Sequence, residues 1–592
     1  MSTTADTDER PLTDRIADNP RPALVWLAGM ALLVFAELSR YVASLIRLGD
    51  TALFVLGGVR AVPGWVASNV GNTLGSSVGD TLGVIAGDTF GLIAGSVAYW
   101  ATIVLMLLFA ALVVKALFVP MSLVNRLGIE RSILMNGVIE RVLVAGVLGV
   151  VAGLVIVTPL GTVLDTVLGA VVGLLDAIAE LPSLTSREVI SNQGYQDPGG
   201  GWQGTFLGLS PAVAWAIRVA VVYVYAFLLL AWVWKGYDTF RQHYREADWT
   251  PRDDTVNRFR GHYWGLFGLA VVFAFVVMAV WAPVLGPATA QENIYSPYEN
   301  NVQYVEDGEV KTVTHGTANI GSRSQGGTQN IGPMSYDDYG RWAPLGTNQD
   351  GKDLMTQVVY GARTSLVISL TGVGLGLSIA LLLSLVTAYY KGLVDLITII
   401  ASDTIISIPA FLLVLLIMVV FRQSNQEYAS QLMDIYSGGL VLALIYAGVY
   451  WPTLWRSIRG PSLQVAEQEW VDAAKSYGQT PLMTMRKHMA PYVATYIMIY
   501  GSLLLGGAII LTAALSFLGL GIQAPTPEWG RIVSQGRPYI PTSSWHISTI
   551  PGLMIVFVVV GFNALGDGVR DAIDPESDVG EGADAAATGG GA

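Results

Sequence analysis

The chain has 592 residues, 52% of them hydrophobic and 13% charged, with a mean hydropathy of +0.51; a soluble domain carries about 25% charged residues, so a soluble globular fold is excluded. Cysteine is absent, which rules out disulfides and Cys-ligated metal or cluster sites, and the five histidines (His243, His262, His315, His488 and His546) are scattered, no two at metal-ligand spacing. The net charge of −12 comes with few lysines among the 33 basic residues, an acidic and arginine-weighted balance that fits a halophilic host, where carboxylates keep surfaces hydrated.

Residues 1–22 are polar and acidic and lack the three-part pattern of a signal peptide, so a disordered cytoplasmic tail is expected. Residues 23–235 hold four uncharged or nearly uncharged segments long enough to cross a bilayer as helix, about Ala23–Ile46, Val97–Val119, Val138–Thr158 and Pro211–Lys235. Between them glycine recurs every four residues from Gly71 through Gly75, Gly79, Gly83, Gly87 and Gly91 to Gly95. The stretch LGTVLDTVLGAVVGLLDA repeats this more loosely with Gly161, Asp165, Gly169 and Gly173. Small residues at this spacing let helix backbones approach closely, so the two stretches are expected to pack on each other; the alternative is two amphipathic surface helices that glycine merely loosens.

Lys235, Arg241, Arg245, Arg252, Arg258 and Arg260 then crowd the linker at 236–262, which the positive-inside rule places in the cytoplasm. A fifth span, about Trp264–Leu285, opens a polar segment, 286–363, expected outside the cell as a docking surface or a solvated loop. Five more spans follow, about Thr364–Tyr390, Val394–Phe421, Gly438–Trp455, Tyr492–Leu518 and Ile547–Ala564. Alternation from an inside start puts Lys391, the region 464–491 and Arg570 in the cytoplasm, together with both termini. The tail at 576–592, acidic and then rich in Ala and Gly, is expected to be disordered. The expected fold is an all-α polytopic membrane protein of about ten transmembrane helices.

One stretch breaks the apolar pattern: AEQEWVDAAKSYGQTPLMTMRKHMAP, Ala466 to Pro491. Trp470, Ala473, Ala474 and Tyr477 share one helical face, with Glu467, Glu469, Asp472 and Lys475 largely elsewhere. Gly478 stops that helix, and Thr480-Pro481 starts another as N-cap and first helical residue. An interfacial helix lying on lipid is one reading; its acid-rich polar side favours the other, a docking element for a cytoplasmic partner.

Here VDAAKSYGQTPLMTMRKHMAPYV resembles the EAA loop of binding-protein-dependent ABC importer permeases, with Asp472 where many members have Glu, and Ala473, Ala474, Gly478, His488 and Pro491 at matching positions. APLGTNQDGKDLMTQVVYGARTSL, NRFRGHYWGLFGLAVVFAFVVMAVWAPVLGP and FNALGDGVRDAIDP resemble other parts of the C-type permease of the dipeptide/oligopeptide/nickel branch. The resemblance covers about residues 256–575. It implies a permease domain at 263–575 with a six-helix core of the MetI-like type, appended to a four-helix extension that the family does not explain. It implies partners: a B-type permease, two ATP-binding subunits and an extracytoplasmic solute-binding protein, all meeting at a plasma membrane, and no nucleic acid. ATP and magnesium would be held by those partners, so no cofactor is expected on this chain and it is not an enzyme. The branch carries peptides, nickel complexes and oligosaccharides, with peptides the leading cargo.

Other readings make different demands. GTNQDGKD, Gly346 to Asp353, has the glycine and lysine spacing of a phosphate-binding loop, but Asp353 stands where Ser or Thr would hold magnesium, and no apolar strand precedes it. A stand-alone ion-coupled carrier needs intramembrane carboxylates, and only Asp395, near the cytoplasmic edge, and Asp403, deeper, interrupt the later spans. Asp403 is expected either to line the pathway or to bond a neighbouring helix, and Pro409 to kink its own helix. A membrane scaffold built on the first half is the third alternative.

Overall fold

A computed structural model of the protein describes residues 11–46, 49, 63–64, 66–68, 70–74, 76–77, 84–118, 142–147, 150, 160–247, 249–423 and 432–573. Most of the expected span at 138–158, the terminal tail at 576–592, and Gly75, Gly79 and Gly83 lie outside these residues. Two units are separable, Leu32–Leu184 and a larger one formed by 1–31 with 185–592.

In the larger unit the chain enters through α1 (Leu12–Asp18) and α2 (Pro20–Ala36), bent by 101° where they meet. This corrects the expectation of disorder through residue 22. The cause is tertiary: Arg15 Nη1 donates to the Tyr244 carbonyl at 2.7 Å, while the Tyr244 hydroxyl donates to Asn19 O at 2.7 Å and accepts from Ala23 N at 3.0 Å. Trp26 and Trp232 donate their indole N–H groups to each other's carbonyls, both at 3.0 Å, which holds α2 along α5 (Pro211–His243).

The smaller unit contains α3 (Val84–Phe118) and α4 (Leu160–Ala179). The expected first span is interrupted rather than continuous: a turn falls on Glu37, which is fully buried and paired with Arg40 at 2.9 Å, and residues 38–46 are helical again. The glycine ladder packs on itself: a Cβ on Gly71 would sit 2.8 Å from Gly91 O and 3.5 Å from Gly95 Cα. A single straight helix would separate Gly71 and Gly95 by about 36 Å, so the ladder forms two facing arms. A Cβ on Gly169 or Gly173 would meet nothing within 4 Å, so the expected packing of the ladder against α4 is not observed at those positions.

The expected linker at 236–262 is largely helical. α5 runs on to His243, and α6 (Pro251–Gly261) begins with a capping box in which Asp253 accepts from Thr250 N at 2.9 Å. Arg245 closes the join on Asp253 at 2.8 Å. Then α7 (Tyr263–Val280) starts on His262, whose Nδ1 accepts from Gly265 N at 2.9 Å, and α8 (Ala282–Leu285) ends it.

Residues 286–353 fold rather than wander. β3 (Asn301–Glu306) and β4 (Glu309–Thr314) pair antiparallel, Asn301 opposite Thr314, through the two-residue turn Asp307-Gly308, both at positive φ. This matches the turn chemistry that right-handed strand twist requires. A short hairpin precedes them, β1 (Tyr195–Gln196) with β2 (Trp202–Gln203), and α9 (His315–Gly321) follows, then β5 (Ser335–Tyr336) with β6 (Trp342–Ala343). Arg341 knits this cap together, donating to Asp337 Oδ2 at 2.7 Å, Asn319 Oδ1 at 2.8 Å and Ser322 Oγ at 3.1 Å. Burial pulls His315, beside Arg341, down to about 4, and pushes Asp353 up to about 6.

The remaining helices are α10 (Leu354–Tyr390), α11 (Gly392–Ile406), α12 (Ala410–Gln423), α13 (Gly439–Ala466), α14 (Glu469–Ser476), α15 (Pro481–Thr484), α16 (Ala490–Phe517), α17 (Trp529–Gly536) and α18 (His546–Ile573). α10 packs along α13, and α7 along α18. Glycines set the second contact: a Cβ on Gly268 would lie 2.6 Å from Gly561 O, and one on Gly265 2.9 Å from Gly568 Cα. The expected span Val394–Phe421 is a broken pair, α11 and α12 meeting at 80° around Ser407–Pro409. Among the described residues seven helices are long and apolar enough to cross a membrane, or up to nine if each bent pair counts as one span. The chain is a multi-pass membrane protein.

Candidate functional site

At the end of the bundle opposite the hairpin cap, α13 passes into α14, a sharp turn, α15 and α16. The turn follows from the local sequence. Gly478 has a φ of +76°, its N–H bonds Lys475 O at 3.0 Å, and Gln479 N bonds Ala474 O at 3.1 Å. These are the two reverse bonds of a Schellman closure, which needs a residue at home in the left-handed region. Thr480 then sits at the N-cap and Pro481 at the first helical position as expected, although the Thr480 side chain makes no capping bond. A five-residue π stretch, Met485–Met489, feeds into α16, where Pro491 lies in the first turn.

The faces of α14 divide differently from the sequence pattern. Val471 and Ala474 are buried, 0% and 6% exposed, and Val471 lies in a cluster with Ala388 of α10, Trp455 and Ile458 of α13, and Met489. Trp470, Ala473 and Tyr477 face outward, Tyr477 at 91% exposure, and Leu482 and Met483 of α15 are exposed nearby. Ala474 therefore belongs to the core, and Ala473 to the surface. The pairs Asp472–Lys475 at 3.0 Å and Lys391–Glu467 at 3.2 Å line the same end, and Lys475 Nζ lies 5.4 Å from the Tyr389 ring centre. α14 is thus moored to α10, α13 and the start of α16, with an aromatic and alanine surface left uncovered.

Asp403 pairs with Arg456 on α13, whose Nε also donates to Ser402 Oγ at 3.2 Å, and Asp395 takes a two-pronged contact from Arg459, 2.8 Å from Nε. The ion pair joins Asp403 to a neighbouring helix while both side chains stay about half exposed, at 56% and 46%. Pro409 does more than kink: it stands at the 80° break, and its carbonyl accepts from Leu413 N at 3.0 Å, starting α12. Sequence reasoning did not assign Arg456 and Arg459 these partners, because residues more than 50 apart are joined only by the tertiary fold.

The GTNQDGKD stretch is a structural turn. Asn348 Oδ1 accepts from Asp350 N and Lys352 N, both at 2.9 Å, and Asp353 caps α10 by accepting from Thr356 N at 2.6 Å. The Asp350 and Lys352 amides a phosphate would need are already taken.

Residues 372–578 match the family described as the inner membrane component of binding-protein-dependent transport systems. Residues 250–303 match the N-terminal transmembrane domain of oligopeptide transport permease C. The second half of the chain is thus similar to this permease family in both of its matched segments. The chain is 29% identical over 327 residues to the dipeptide transport system permease protein DppC of Alkalihalophilus pseudofirmus, covering 55% of this chain and 90% of that protein. It is 27% identical over 328 residues to the glutathione transport system permease protein GsiD of Escherichia coli and of Shigella sonnei, covering 55% of this chain and 91% of those proteins. The two matched segments take in α6 to α8 and the helices from the middle of α10 to α18, and the residues before 250 lie outside both family matches.

Proposed function

We propose that this chain forms half of the translocation pathway of an ATP-driven importer of peptides, worked through α14 by a separate ATP-binding subunit. One observation carries the reading: α14 buries Val471 in a cluster shared by α10, α13 and the start of α16, with Ala474 buried beside it, and leaves Trp470, Ala473 and Tyr477 open to a partner. A displacement applied to the open face passes into three helices at once, which is the physical requirement for a lever acting on a two-state bundle. In this scheme Asp472 supplies charge to the docking face, Gly478 fixes the angle between α14 and α15, and Pro491 marks the entry to α16. ATP and magnesium are bound by the partners, and this chain hydrolyses nothing. The α14 end faces the cytoplasm with both termini, and the hairpin cap at 286–353 faces outward toward a solute-binding protein. Peptide cargo is supported by the relatives, one named for dipeptides and others for glutathione, itself a small peptide.

The test is co-purification followed by reconstitution. A tagged chain is expected to bring down a second permease and two ATP-binding subunits, and vesicles holding the assembly are expected to accumulate labelled dipeptide only with ATP and binding protein present. Accumulation by the purified chain alone, or labelling that places α14 outside the cell, would remove the proposal.

A further inference from the structure

Arg187 and Arg218 precede the permease domain, yet their hydrogen bonds run into it, onto consecutive backbone carbonyls at the cap end of α7 and α8. Arg187 Nε donates to Pro283 O at 2.9 Å, Arg218 Nε to Val284 O at 2.8 Å, and Trp215 Nε1 to Leu285 O at 2.8 Å. Gly286 O accepts from Nη2 of both arginines, Arg218 at 3.1 Å. Pro287 O accepts from Arg187 Nη1 at 2.9 Å and Asn192 Nδ2 at 3.1 Å, and Ala288 O from Arg187 Nη2 at 2.6 Å. Every carbonyl from residue 283 to 288 is held by a side chain from outside the family match.

The arrangement has a physical logic. Carbonyls at and just beyond the end of a helix lack intrahelical donors, so cations and N–H donors are favoured there. A guanidinium offers five donors in a rigid fork, and one arginine can therefore span several carbonyls where lysine cannot. Arg218 is fully buried, and its Nη1 also donates to Ile190 O at 2.9 Å, tying the extension's own loop to the same point. The clasped segment in turn rests on α10: a Cβ on Gly286 would lie 2.6 Å from Thr356 Oγ1.

We propose that Arg187, Asn192, Trp215 and Arg218 form a clasp that makes the cap end of α7 and α8 one rigid body with the preceding segment, and so positions the outer mouth of the pathway. The consequence for transport rests on the importer reading above; the clasp itself does not. Such a brace fixes one wall against which α10 and its neighbours rock between the two states of the cycle.

The test uses the assembled transporter carrying Arg187→Gln with Arg218→Met, and the same variant with Asn192→Cys and Pro287→Cys joined by a short bifunctional thiol reagent in this naturally cysteine-free chain. Backbone hydrogen exchange across residues 281–288 is expected to rise by about tenfold or more, ATP-driven uptake to fall by about tenfold, and the bridge to restore uptake to within about twofold. Unchanged exchange, or uptake that stays lost in the bridged protein, overturns the positioning role. If the double variant fails to accumulate in membranes, Arg187→Lys, which keeps the charge and loses the fork, is measured in its place: uptake reduced about threefold and restored by the bridge supports the clasp, and wild-type uptake overturns it. Exchange needs neither cargo nor nucleotide, so a wild-type assembly that imports nothing would sink the importer reading and leave the clasp to be judged by exchange alone.

Discussion

Gly478 and the two alanines before it show how neighbouring small residues answer to different constraints. A Cβ on Gly478 would meet nothing within 4 Å, so its requirement is conformational and lies in the φ of +76°. An L-residue there costs about 1–2 kcal/mol, more if β-branched. Gly478→Val is expected to leave the protein inserted while uptake falls steeply, read as transport per assembled complex. Ala473 is exposed and Ala474 buried. Ala473→Glu should therefore keep the melting temperature and lose co-purification of the ATP-binding subunit, whereas Ala474→Glu should lower the melting temperature itself by burying a charge. Equal behaviour of the two in both assays would contradict the division of faces.

His315 gives a pH prediction at the same scale. Its folded value, held near 4 by burial first and then by Arg341, lies below its ordinary 6.5. The neutral form is favoured by folding, so the stability it contributes is present above 6.5 and lost as pH falls toward 4, on the order of 3 kcal/mol. Asp353, raised to about 6 by burial, has the opposite sign: its contribution is present below its ordinary value of 3.8 and lost as pH rises through 6. His315→Gln should leave a melting temperature that rises less, or falls more, with pH between 4 and 6.5 than that of the unaltered protein.

At the scale of elements, helix contacts divide into those set by absence of a side chain and those set by charge. α7 and α18 meet through Gly265, Gly268 and Gly568, where an added Cβ would strike backbone atoms that cannot turn aside, and through Gly561, where it would strike the Val271 side chain. Gly268→Ala is expected to destabilise the bundle by about 1–3 kcal/mol, measured by loss of thermal resistance in detergent. α11 and α13 are joined instead by Asp395–Arg459 and Asp403–Arg456. Asp395→Asn and Arg459→Gln should couple, with a double-mutant cycle returning about 1–2 kcal/mol; additive effects would show that the pair contributes nothing beyond its separate members.

For the whole molecule, the acidic balance predicts a measurable response to salt. With a net charge of −12, self-repulsion is relieved by counterions, so the melting temperature of the purified chain should rise as KCl is raised from low to molar concentration. Indifference to KCl would refute the halophilic reading. The molecule joins a permease bundle, α6 to α18, to a preceding half that contributes both the separate unit Leu32–Leu184 and the arginines on α8's carbonyls. The hairpin cap, read from sequence as a polar segment, is folded by Arg341 and its three partners, residues scattered over some twenty positions.

What the sequence by itself determined is whatever depends on local chemistry or on bulk composition. Uncharged runs of bilayer length, glycine at a helix stop, proline at a helix start and the order of motifs gave the membrane class, the α14–α15 turn and the family. What only the tertiary structure decided is which residues meet across distance: that Ala474 turns inward and Ala473 outward, that Asp403 finds Arg456, that the glycine ladder folds against itself, and that Arg187 reaches residues about a hundred positions away. Helical periodicity limits each side chain to a sector of the helix surface, but burial within that sector is fixed by the neighbour that arrives, and no local rule names the neighbour.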